Sequence, residues 1–226
     1  MAKQGTTGDE AVRFGGVWTP TGYVFELDGG ALCLDLANTL DNRKAPTPRE
    51  LLAGFKDLVA WGVQAGAVRD ATARALLREA RAHPRRAARA LERARGVREA
   101  LFAVFSAVAH GRVPPFAAID RLNDVLPCAF GSRRLNRAAG SPAWAWVEHD
   151  PPDLDRVLWP AVVSAADLLT STELDRVREC AGERCAWLFL DHSKNRSRRW
   201  CDMTVCGNRT KARLHYARVK RRQTGR

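Results

Sequence analysis

Cys180-Ala181-Gly182-Glu183-Arg184-Cys185, then fifteen residues, then Cys201-Asp202-Met203-Thr204-Val205-Cys206: this doubled pairing decides how the end of the chain folds. Zinc takes four soft ligands at tetrahedral corners, and two short cysteine pairs on separate turns supply them. Cys180, Cys185, Cys201 and Cys206 are therefore the expected ligands of one zinc ion. Four thiolates leave no open coordination position, so the site is expected to be structural, not catalytic. An iron–sulfur cluster is the alternative, although such sites carry tighter spacings. The linker between the pairs suits a β-hairpin, with Ala186–Leu190 as a strand and residues 191–195 as its turn. After Cys206, Gly207-Asn208-Arg209 leads into a helix reaching about Arg222. Knuckle, hairpin and helix together make a treble-clef-like module.

Working outward, charge marks the same region. The chain has 226 residues and a net charge of +12. Residues 176–226 hold fifteen Lys and Arg against four acids, a net of +11, so residues 1–175 are almost neutral. A basic block of this kind is an electrostatic footprint for polyanions. Arg196 and Arg198 fall between the expected hairpin turn and Cys201. On the helix, at about 100° per residue, Arg209, Arg213 and Lys220 lie within about 40° of one another. Lys211 and Arg218 belong to an opposite stripe. These seven are the candidate nucleic-acid contacts, with arginine suited to phosphate and to guanine edges. On that helix Leu214 and Ala217 are expected to face a core on one side, with Tyr216 and Val219 on the other. Arg209, in the first turn, has a second expected role, binding a carboxylate such as Asp191.

The remainder reads as a mostly helical domain with a few strands, so the fold class is α+β. Residues 1–20 look like a flexible lead-in, 21–175 like the larger domain, and 176–226 like the zinc module. Tyr23–Leu27 reads as a short strand. Leu32, Leu36 and Leu40 recur at helical spacing. Helices are expected over 48–62, 71–82 and 85–109, from Pro114 or Pro115 through Leu126, and over 154–169. Arg133–Ala138 and Ala143–His149, split by Gly140-Ser141-Pro142, read as a hairpin. The stretch 69–95 is rich in alanine and arginine, a composition that favours helix. Cys33 and Cys128 stand alone in apolar surroundings and are expected to be buried free thiols. With its own apolar core, the larger domain is expected to stay folded if the zinc is lost.

Cys206-Gly207-Asn208-Arg209, with Arg198-Arg199-Trp200-Cys201 before it and Lys211 after it, resembles the CGNR-type zinc finger. Asp191, Ser193 and Arg178 fit the same pattern. Residues 31–43, with Arg98–Leu101 and Leu122-Asn123, resemble the ABATE domain that usually precedes this finger. The likeness spans about residues 22–220. It implies a stress-induced transcription regulator that binds DNA through the finger and senses a ligand or mediates assembly through the larger domain. An RNA- or ribosome-associated module, and a sensor whose finger contacts protein, are the competing readings.

Asp35, Asn38, Arg43 and Arg98 are polar groups beside apolar runs. Two readings stay open for them: a pocket for a small polar effector, or a buried ion pair such as Asp35 with Arg98 that fixes packing. Neither a P-loop, a dinucleotide glycine motif nor a nucleophile elbow is present, so no enzymatic activity is expected. No run of about 18 apolar residues exists, and the start lacks a secretion signal, so no membrane partner and a cytoplasmic location are expected.

Overall fold

The computed structural model describes residues 15–20, 22–138 and 140–224, with the side chains of Ala138, Leu214, Arg218 and residues 221–224 outside that description. The expected lead-in falls outside the described residues as far as residue 14. Beyond that it is corrected: β1 (Gly16–Thr19) pairs antiparallel with β2 (Gly22–Phe25). Then follow α1 (Leu32–Ala37), β3 (Leu40–Asp41), β4 (Arg49–Glu50), α2 (Phe55–Gln64), α3 (Asp70–Ala82) and α4 (Pro84–Ala109). Next come α5 (Phe116–Asn123), α6 (Leu126–Gly131), the β5 (Arg133–Ala138) and β6 (Ser141–Trp146) hairpin, and α7 (Trp159–Leu169). The chain ends with β7 (Val177–Glu179), β8 (Leu188–Leu190) and α8 (Asn208–Thr224). No helix among the described residues is long and apolar enough to cross a membrane.

The core is organised around α4. Proline at its first position costs no hydrogen bond, because that N–H would lack an intrahelical partner anyway. Leu91, Ala94, Val97, Leu101, Val104 and Phe105 keep the helical step and are buried. Against this stripe pack α1, α2, α3 and α5. The short α1 is almost wholly internal, with Cys33, Leu34, Leu36 and Ala37 buried between α4 and α7.

Several element boundaries differ from the sequence reading, each for a local reason. The helix expected through Leu40 stops at Ala37, where the Thr39 hydroxyl donates to the Leu36 carbonyl at 2.7 Å and Leu40 turns to pair with Glu50. The helix expected from Pro48 begins only at Phe55, where the Asp57 carboxylate accepts from the Gly54 N–H at 2.8 Å. Pro127 and Pro160 lie in the first turns of α6 and α7. Each lacks the N–H a continuing helix needs, so α5 and α6 are separate helices and residues 154–157 form a 3₁₀ turn ahead of α7. Cys128 is exposed, which corrects the expectation of burial; Cys33 is buried as expected.

The zinc module does not stand apart from the larger domain. Val177, Leu188 and Leu190 belong to the same buried cluster as Val97, Leu101 and Phe105 of α4. The backbone is joined as well. The Asn38 amide donates to the Leu188 carbonyl at 2.9 Å and its oxygen accepts the Leu188 N–H at 2.8 Å. One buried side chain thus takes the place of a neighbouring strand along β8. Further bonds run from Leu190 N to Gly29 O (2.9 Å), from Arg43 N to Cys185 O (3.2 Å) and from Lys44 N to Arg184 O (3.1 Å). The division at residue 175 is therefore no boundary in the packing.

Candidate metal centre and basic surface

β7 and β8 pair antiparallel, Val177 with Leu190 and Glu179 with Leu188, so the loop between them carries the first cysteine pair on a tight knuckle. This corrects the hairpin expected inside the fifteen-residue linker: the partner of β8 lies before Cys180, not after residue 195. Cys180 Sγ accepts the Gly182 N–H at 3.4 Å and Cys185 Sγ accepts the Trp187 N–H at 3.4 Å. Such bonds favour thiolate over thiol. Gly182 leaves little room for a side chain: an added Cβ would lie 3.1 Å from Cys185 Cβ and 3.3 Å from Cys206 Sγ, so its neighbours would have to give by a few tenths of an ångström. Ala186 completes the knuckle in left-handed conformation, with φ 67°.

The second pair flanks the start of α8. The Asp202 carboxylate accepts the N–H groups of Thr204 and Val205, capping a wide helical turn over residues 203–207 that carries Cys206. The Thr210 hydroxyl donates to the Cys206 carbonyl at 2.8 Å. All four ligand sulfurs lie within 4.8 Å of one another and all four cysteines are buried. Among sulfurs alone, hydrogen bonds from Cys185, Cys201 and Cys206 lower the Cys180 pKa, while sharing with Cys180 holds Cys201 well above the thiol range. A divalent cation allows all four to ionise. The donor set, the sulfur spacing and the room left by Gly182 fit one structural zinc ion held by Cys180, Cys185, Cys201 and Cys206. Trp187, Phe189 and Trp200 wrap the cluster, so Trp200 is a packing residue.

Between the pairs, residues 191–198 form a loop closed by Asp191. Its buried carboxylate accepts the Ser193 and Arg198 N–H groups, each at 2.9 Å. Burial alone would raise its pKa, but the bonds from Ser193 and Arg198 and the charge of Arg178 hold it below the usual carboxylate range. A carboxylate on which Arg209 acts is Asp41, whose carboxyl is pushed up by burial and drawn back by the Asn42 N–H, Arg49, Trp187 and Arg209.

The seven candidate contacts separate into groups. Arg198 is exposed, and its guanidinium also donates to the Trp200 carbonyl at 2.9 Å and to the Cys201 carbonyl and lies 4.6 Å from the centre of the Phe189 ring, so part of its bonding capacity is spent inside the finger. Arg213 pairs with Glu183 on the knuckle. Arg209 and Arg213 line a cleft of about 540 Å³ with Asn42, Glu183 and Arg184. Arg196, Lys211 and Lys220 are exposed, and the side chain of Arg218 lies outside the described ones. Every described α8 side chain from Lys211 to Lys220 is exposed, so the burial expected for Tyr216, Ala217 and Val219 is corrected, while that expected for Leu214 lies outside the described side chains. Arg184 and Arg199, also exposed, join the basic surface; Arg184 lies inside the first cysteine pair, a position the sequence reading passed over.

The four residues named for an effector pocket do not share one. Asp35 accepts the Gly29 N–H at 2.8 Å and Asn38 is committed to β8. Arg43 binds Glu99 at 2.6 Å and the Ala37 carbonyl at 3.0 Å, above Phe102. Arg98 binds Glu50 at 2.6 Å and Glu99 at 2.9 Å. The pocket is corrected to internal bonding, and the alternative pairing of Asp35 with Arg98 is not formed either.

Two family models match the chain. The model of the ABATE family, described as "Putative stress-induced transcription regulator", matches residues 30–172. The model of the CGNR zinc finger matches residues 176–219. A search of curated proteins found no match.

Proposed function

Because the chain belongs to the ABATE family and ends in a CGNR zinc finger, we propose that it is a DNA-binding transcription regulator, stress-responsive as that family's description has it. It acts by binding, in the cytoplasm, and not by catalysis. The observation that carries this reading is α8. It leaves the zinc site with Lys211, Arg213 and Lys220 along it, and its described side chains from residue 211 to 220 are all exposed. A helix this polar on all sides finds no core to cover, and basic charge at its root and along its length suits a polyanion. Zinc fixes the root of the helix, so little ordering opposes binding.

The test uses the full zinc-loaded chain and a fluorescent duplex DNA, with affinity measured across salt. Each phosphate contact contributes about −0.9 to the log–log slope. A Lys211→Ala/Lys220→Ala variant is expected to lose about two units of slope and to weaken all sequences alike. An unchanged slope sinks the assignment of this helix. Tighter binding to single-stranded RNA than to the duplex supports the RNA reading instead.

A further inference from the structure

The Arg/Ala-rich stretch 69–95 plays no part in the finger. It holds nine arginines against Asp70, Glu79 and Glu92. Folded, it becomes α3 and the first half of α4, joined by one tight turn at His83. Arg74, Arg78 and Arg81 fall at i, i+4 and i+7, within about 60° on α3. Arg85 and Arg89 are i and i+4 on α4. The buried faces, Thr72, Ala73 and Leu76 on α3 and Ala87, Ala90, Leu91 and Ala94 on α4, lie on the other side of each helix. All five arginines are exposed.

Two of the three neighbouring acids are already engaged; Asp70, four residues before Arg74 on α3, is exposed. Glu79 binds Arg86 at 2.5 Å and His83 at 3.0 Å, and Glu92 binds Arg95 at 2.8 Å. None of Arg74, Arg78, Arg81, Arg85 and Arg89 has a hydrogen-bond or ion-pair partner among the described residues. Five guanidinium groups without an ion-pair partner, against the one exposed carboxylate of Asp70, give the helix pair a positive surface. A surface serving only solubility would intersperse the two signs.

The residues between them narrow the partner. No exposed large hydrophobic side chain lies on α3 or on α4. A membrane surface site wants apolar residues to insert, and a protein interface wants an apolar or aromatic centre. The face offers forks of N–H donors and alanine. Arg74 to Arg81 covers about 10 Å at 1.5 Å per residue, roughly the axial rise of three phosphates along one duplex strand.

We propose that the α3–α4 pair is a second nucleic-acid surface, in which Arg74, Arg78, Arg81, Arg85 and Arg89 grip the phosphate backbone of a duplex. It reads no base, because phosphate contacts carry no sequence information. It adds length and affinity to whatever the finger contacts, and it does not rest on the reading of α8.

The experiment uses the full zinc-loaded chain, a fluorescein-labelled 30-base-pair duplex (about three turns) and a salt series. Four proteins are compared: wild type, Arg78→Ala/Arg81→Ala/Arg85→Ala/Arg89→Ala, Lys211→Ala/Lys220→Ala, and the combination. Alanine is the best helix former, so the fourfold variant is expected to keep its fold, checked by circular dichroism and zinc content. Its slope should fall by about three to four units and its affinity at least tenfold at low salt, with the same loss in the combination. A fourfold arginine-to-lysine variant should recover the slope. Affinity and slope equal to wild type overturn the proposal. So does unchanged DNA binding with lost binding to phosphatidylserine/phosphatidylcholine vesicles, which makes the face a membrane contact. If the α8 variant binds normally while the fourfold variant does not, the reading of α8 falls and this one stands; the reverse result separates them the other way.

Discussion

Two cysteines that look alike in sequence sit in opposite environments. Cys33 is fully buried in α1, and burial pushes its thiol up to about 12. Cys128 lies in the first turn of α6 with its side chain exposed. In the native zinc-loaded protein a thiol reagent is expected to label Cys128 quickly and Cys33 only on unfolding, as peptide mass mapping reads directly. Equal labelling of both would contradict the packing of α1. Asp35 makes a second test. Burial is the main cause that raises its carboxyl to about 6, against the opposing bond from Gly29. The folded state therefore holds its proton more tightly than the unfolded state. The sign follows: Asp35 costs nothing below about pH 4, and its penalty grows as pH rises to about 6 and then levels off. Asn keeps an oxygen for the Gly29 N–H and carries no charge. Asp35→Asn is expected to raise stability at pH 7 by about 1–2 kcal/mol and to leave it unchanged near pH 4. Urea unfolding at the two pH values measures this, and a variant less stable at pH 7 refutes it.

The finger contains elements that depend on zinc to different degrees. β7 and β8 are held by pairing, by Asn38 and by the burial of Val177, Leu188 and Leu190. The 201–207 turn and α8 lack such anchors, since the described α8 side chains beyond Thr210 are exposed. Cys206→Ser, or chelation of the metal, is thus expected to release residues 201–224 and to leave 177–190 protected. Amide hydrogen exchange resolves the two segments. Exchange collapsing equally through 177–224 would mean that zinc, not the shared core, holds β7 and β8. The sequence was clear about α8 and α4, where period and punctuation agree, and about the existence of the β5–β6 hairpin, whose second strand starts at Ser141 and ends at Trp146 and not over 143–149, because Ser141 and Pro142 pair with Ala138 and Arg137 and do not form the turn. It misplaced the partner of β8, because a three-residue strand carries no period long enough to name its neighbour.

At the scale of the whole molecule, the two family-matched segments share one core. Burying a side chain such as valine or leucine stabilises by about 1.5–3 kcal/mol. Loss of Val177, Leu188 and Leu190 then removes about 5–9 kcal/mol, the order of a domain's entire stability. A chain ended at residue 175 is expected to lose cooperative thermal unfolding, contrary to the sequence-based expectation that the larger domain stands on its own. A sharp transition within a few degrees of the intact chain, by circular dichroism, would restore that independence. The consequence for function is mechanical: β7 and β8 are built into the core of the larger domain, and α8 leaves from them through the zinc site.

The sequence by itself determined the zinc ligands, the mostly helical α+β class, the basic block and the family, because each is written in local spacing, composition or motif. What the sequence left open was how polar groups are partnered. Asn38, Arg43 and Arg98 look like candidates for a ligand in one dimension, since nothing local says what will lie against them. Only the tertiary structure supplies the Leu188 backbone, Glu99 and Glu50 that satisfy them. A buried polar group must find a partner somewhere in the fold, and that partner can lie 150 residues away, as it does for Asn38.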